Sequence, residues 1–118
     1  MKKIFFTIGA LIFLANSVLA WEQPKLPVGL EKFSFYHEMK LPCGVYQAWH
    51  FLISERGELW TVQFLNRKQF PSPFRIFRET RGEAEYWIDS NRNGSFDEYF
   101  NSYITLIDKY PSPCDAAK

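Results

Sequence analysis

Oxygen-bearing side chains fall at every second position of one short stretch: Asp89, Asn91 and Asn93, followed by Ser95 and Asp97. Gly94 stands directly after the third of them. A hard cation such as calcium takes roughly six to eight oxygen ligands, and alternating Asp and Asn side chains can wrap one centre if the backbone turns sharply. Gly94 permits that turn, because without a Cβ it tolerates positive φ. The same residues also suit a metal-free corner. Asn93-Gly94 is a strong turn dipeptide, and Asp and Asn side chains cap turns and helices without an ion. Both readings stay open on the residues alone.

In its pattern D-x-N-x-N-G-x-x-D-E the stretch resembles the loop of the EF-hand superfamily, including its shortened bacterial relatives of the dockerin type; residues 89–98 carry the likeness and the rest of the chain does not. The resemblance implies Ca2+ as a cofactor. Position by position it implies side-chain oxygens from Asp89, Asn91 and Asn93, the backbone carbonyl of Ser95, and Asp97 directly or through water. The twelfth position, a bidentate Glu in that family, is Phe100 here, and Glu98 two residues earlier is the nearest acid. With two neutral Asn ligands, the implied affinity is that of weak extracellular modules, about 10⁻⁴ to 10⁻³ M.

Other residues could carry chemistry. Glu83, Glu85 and Asp89 fall on one face of a strand pattern, and paired carboxylates can hydrolyse glycosides. A solvated sheet face accounts for the same spacing. Trp87 points the same way, so Trp87, Glu83 and Glu85 form a candidate platform for a sugar or peptide, or Trp87 packs under a C-terminal helix. His37 and His50 have no Cys or His beside them at metal spacing, which leaves a zinc site unsupported. His50 lies inside an apolar strand and reads as a packed, hydrogen-bonded side chain.

The positioning elements begin with a leader. Lys2 and Lys3, the apolar run Ile4 to Leu14 and the small-residue end Val18-Leu19-Ala20 give the three parts of a secretory signal peptide. Residues 1–20 are expected to be removed, with no membrane span left, and residues 21–118 to form one exported domain, periplasmic or secreted. The exported part keeps 12 of the 14 Lys and Arg against 13 Asp and Glu, a near balance that gives no electrostatic reason to expect nucleic acid. It keeps all four Trp and all six Tyr, enough apolar mass for a core. Cys43 and Cys114 are the only cysteines, and in an oxidising compartment they are expected to pair.

Trp21 to Gly29 reads as an extended lead-in, since Pro24 and Pro27 interrupt it. Leu30 to Met39 fits a strand or a short helix, with Phe and Tyr favouring the strand. Strands are expected over Val45–Ser54, Glu58–Asn66, Phe74–Thr80 and Glu83–Asp89, with Ala84, Tyr86 and Ile88 turned inward. Glu55-Arg56-Gly57 and Arg81-Gly82 mark hairpin turns. From Phe96 onward the apolar residues Tyr99, Phe100, Tyr103, Leu106, Ile107 and Tyr110 recur three and four apart. That spacing predicts an amphipathic helix of about three to four turns, with Ser95 as its N-cap. The fold expected is therefore α+β: an antiparallel meander of four to five strands with one C-terminal helix. The function expected is a non-enzymatic binding or interaction domain, carrying one structural calcium ion in the first reading of the loop. Its partner is an unidentified protein or envelope ligand. The rival classes are a small hydrolase of cell-envelope polymers and a periplasmic inhibitor of another exported protein.

Overall fold

A computed structural model gives the structure; it describes residues 21–116, with the backbone alone for residues 115 and 116. The signal peptide expected over residues 1–20 lies outside the described residues. Six strands run in chain order across one antiparallel sheet: β1 (Ser34–Lys40), β2 (Tyr46–Ile53), β3 (Leu59–Leu65), β4 (Arg75–Thr80), β5 (Glu83–Ile88) and β6 (Glu98–Phe100). Helix α1 (Tyr103–Lys109) and a single helical turn, α2 (Pro113–Ala116), follow. The class is α+β with a meander, as expected, but the sheet has six strands, not four to five. Leu30–Lys32 forms one 3-10 turn before β1, so the ambiguous stretch holds both structures.

The sixth strand comes out of the expected helix. Glu98, Tyr99 and Phe100 pair with Ile88, Trp87 and Tyr86, and the Asp97 N–H donates to the Ile88 carbonyl at 3.0 Å. Without them the outer edge of β5 would carry unpaired backbone groups, which a few paired residues satisfy. Three residues are too few to show a period of two, so their aromatics merge with the true helical spacing downstream. The helix starts only after Ser102, not Ser95, and spans two turns.

Both faces of the sheet carry a buried cluster, one beneath the lead-in and one beneath α1, whereas β1 at the edge is exposed. One core cluster gathers Phe33, Ala48, Trp60, Val62, Phe64, Ile76 and Trp87, with Trp21, Leu26 and Leu30 of the lead-in packed on it. A second gathers Val45, Leu65, Phe74, Tyr86, Ile88 and Leu106, the last from α1. The strands therefore carry apolar residues on both faces, and β3 is buried along nearly its whole length. Cys43 and Cys114 form a disulfide with a Cα–Cα separation of 6.1 Å, which ties α2 to the β1–β2 turn. Among the described residues no helix is long and apolar enough to cross a membrane.

Candidate functional site

A concave region lies between the lead-in, the β2–β3 hairpin and the face of β3–β6. Two adjoining cavities of about 410 and 640 Å³ open there, sharing Lys25, Trp60 and Arg78 in their walls. Both fall in the range of small-molecule sites, about 300–1,000 Å³. The β-register builds the floor. Trp60, Arg78 and Glu85 stand opposite one another on β3, β4 and β5, and Ile76, Trp87 and Tyr99 form the next row. Four aromatic rings run in series: Trp60 stacks on Trp87 at 6.3 Å between centres, Trp87 meets Tyr99 at 5.7 Å, and Tyr99 stacks on Trp21 at 5.8 Å.

A polar chain crosses the same floor. Arg78 lies against the carboxylates of both Glu58 and Glu85, with its guanidinium carbon 5.4 Å from the centre of the Trp60 ring. Trp60 Nε1 donates to Glu58 at 3.3 Å, and the Tyr99 hydroxyl donates to Glu85 at 2.8 Å. The lead-in is fastened above: Trp87 Nε1 donates to the Glu22 carbonyl at 3.0 Å, and Gln23 exchanges two hydrogen bonds with the backbone of Phe96. The two carboxylates thus share one arginine, and each is oriented by an aromatic donor. That arrangement suits holding a polar ligand against ring faces.

Of the expected platform, Glu85 belongs to this floor. Glu83 lies at the exposed start of β5, and Asp89 lies beyond its end in the corner. Trp87 is 5 % exposed: it supports the cleft from beneath the lead-in, and it neither stands open beside the acids nor packs under the helix. Sequence reasoning passed over Glu58, Arg78, Tyr99 and Trp21. The available signal was the Arg81-Gly82 turn, which sets the β4–β5 register that places Arg78 beside Glu85; the β3–β4 register that adds Trp60 is made across the long 66–74 loop, which carries no such signal.

The 89–98 stretch is a corner between β5 and β6. Asp89 is 1 % exposed; its Oδ1 accepts from the Asn93 N–H at 3.2 Å and its Oδ2 from the Gly94 N–H at 2.8 Å. Asn93 Oδ1 accepts from the Ser95 N–H at 2.9 Å. Asp97 accepts from both the backbone N–H and the hydroxyl of Ser90. Gly94 has φ +92°, the left-handed conformation its place in the turn demands. Arg92, overlooked in the sequence, also takes positive φ, 58°, which carries its guanidinium to the Leu65 carbonyl and to 4.3 Å from the Phe70 ring centre. Asn91 and Ser95 are exposed. Glu98 is directed elsewhere, to the Tyr110 hydroxyl and the Lys109 ammonium, and burial together with that hydrogen bond raises the Tyr110 pKa. Among the described residues no three His, Cys, Asp or Glu side chains gather as a metal group.

His50 Nε2 accepts from the Arg67 guanidinium at 2.8 Å, and the ring sits between those of Phe35 and Phe64. Burial, then the charge of Arg67, lowers its pKa, so the neutral ring accepts from Arg67. His37 lies against Tyr36 on β1. No protein-family model, curated protein or solved structure matches the chain.

Proposed function

We propose that residues 21–118 form an exported, non-enzymatic binding domain that takes its ligand in the cleft between the lead-in and β3–β6. One arrangement carries the reading: four serial aromatic rings edged by the Glu58–Arg78–Glu85 chain, under a strap with cavities of ligand size. Ring faces hold the apolar side of a sugar ring or a peptide, and oriented carboxylates take its hydroxyl or amide hydrogens. A neutral glycan segment of the cell envelope fits this chemistry. Its hydroxyls can bond to both acids, and it brings no charge to disturb the arginine pairing. The hydrolase alternative has less support, because Glu85 is tied to Arg78 and Tyr99 and the other two acids of that reading lie apart from it.

The test is calorimetric titration of the oxidised exported protein with neutral envelope oligosaccharides. Saturable binding is expected, with about a tenfold or greater loss in Tyr99→Ala, a truncation at the cleft's half-buried wall. Absence of saturable binding, or binding indifferent to Tyr99, would sink the cleft. Release of new reducing ends that stops in Glu85→Gln would replace binding with hydrolysis.

A calcium ion at the corner is the second part of the proposal, with a structural role. The oxygens of Asp89 and Asn93 turn into the loop to meet its N–H groups, so their remaining lone pairs share that interior. Asp97 would have to share its carboxylate with Ser90, and Glu98 is engaged outside, which keeps the expected affinity low.

A further inference from the structure

The opposite face of the sheet holds a cation without a partner. Arg75 opens β4 across from Gln63 on the face that α1 covers. Its guanidinium carbon lies 5.2 Å from the Trp49 ring centre and 5.4 Å from that of Phe77. Ring faces attract a cation, but they supply no counter-charge. Among the described residues the ion pairs involve only Arg78 and Lys109, and the buried Nε of Arg75 has no hydrogen-bond partner. Burial accordingly lowers the Arg75 pKa, the neighbouring Tyr103 and Tyr86 opposing it only in part. The side chain is half-buried, and its Nε is a buried donor that costs free energy until something bonds the guanidinium.

What the guanidinium does face is a groove. It borders a cavity of about 110 Å³ whose other walls include Phe74, Tyr103, Ile107, Tyr110 and Pro111. For scale, an apolar cavity of about 150 Å³ holds one benzene. The space is therefore smaller than one aromatic ring needs and admits only a short aliphatic chain. Of its walls, Tyr103 is 58 % exposed and Ile107, one turn on in the same helix, 36 % exposed. A small apolar volume with one unpaired planar cation at its end asks for one negative, planar group joined to one apolar group.

We propose that this groove binds a small free monocarboxylate, its two oxygens bonded to the terminal nitrogens of Arg75 and its apolar part lying between Tyr103 and Ile107. The guanidinium fork matches a carboxylate in two parallel hydrogen bonds, which an ammonium or an amide could not reproduce. The groove lies on the face opposite the aromatic cleft, so it stands or falls independently of that site.

The probe is butyrate, with butanamide as its uncharged counterpart, titrated into the oxidised protein and followed by protein NMR. The acid is expected to bind saturably and at least about tenfold more tightly than the amide. Arg75→Met should abolish the preference for the acid while melting at or above the parent temperature, because it removes a buried donor without a partner and keeps the volume. Ile107→Glu, a change at an exposed position on the rim, should weaken the acid by about tenfold or more without touching the core, so a poorly folding Arg75→Met leaves the question decidable. Equal binding of acid and amide, an unaltered acid affinity in either variant, or no saturation would overturn the site. A blocked tripeptide ending in alanine that bound more tightly than the free acid would overturn the small-acid assignment and make the groove a site for a chain terminus.

Discussion

At the scale of single residues, polar side chains here are placed by what they accept. His50 is neutral because Arg67 offers it a proton donor and because Phe35 and Phe64 exclude water around it. Its folded-state pKa lies below the ordinary 6.5, so the unfolded chain binds the proton more readily. The stability it contributes is complete above pH 6.5 and is lost as pH falls through the lowered folded value. The melting temperature of the parent should therefore drop more than that of His50→Gln between about pH 7.5 and pH 5.5, above the range where most carboxylates titrate. Parallel curves for the two proteins would show that the ring's proton is not linked to folding. The role was legible in the sequence, since a lone histidine inside an apolar strand has few other uses. The Arg67 partner was not, because it lies past the end of β3 and reaches back across it.

At the scale of elements, alternation was readable wherever a strand was long. The face assignments of β2, β3 and β5 follow from period two, and their turns from Gly57 and Gly82. What alternation did not reveal is that both faces carry a buried cluster, so Trp87 looked exposed when only its direction was known. The corner at 89–98 was visible as a turn for a physical reason: Asp, Asn and Gly are the residues that close one. Its internal wiring can be measured. Removing the buried Asp89 carboxylate takes two charge-assisted hydrogen bonds from the N–H groups of Asn93 and Gly94 and frees the turn. Asp89→Ala should cost about 1–3 kcal/mol in denaturant unfolding. With a dissociation constant near the millimolar range, about 10 mM calcium should add roughly 1.4 kcal/mol to the parent. That is several degrees in a domain of this size, and Asp89→Asn should weaken the effect. An unchanged midpoint between calcium and chelator would leave the corner to its hydrogen bonds alone.

At the scale of the molecule, one sheet lies between the lead-in and the segment that follows the sheet, and each of these two segments walls a different concavity. The lead-in roofs the aromatic cleft through Glu22 and Gln23, whereas the segment after α1 walls the Arg75 groove with Pro111, Ser112 and Pro113. Only the second segment is covalently tied. The Cys43–Cys114 bridge closes a loop of 71 residues, worth about 4 kcal/mol in the chain-entropy account. Reduction should lower the unfolding free energy by an amount of that order. It should also release the backbone just beyond the groove wall while leaving the lead-in, which no disulfide holds, fastened to β5 and β6. Under conditions where the reduced protein is still folded, carboxylate binding at Arg75 should weaken and glycan binding in the cleft should persist. Equal loss at both sites would mean that the two faces share one cooperative unit whose integrity depends on the bridge. Equal retention would mean that Tyr110 and the helix hold the groove without it. The ordinary expectation for a domain with one sheet is that both faces unfold together, yet local opening near a released segment costs less than global unfolding. The difference between the two titrations therefore measures how far the bridge acts on its own end of the fold.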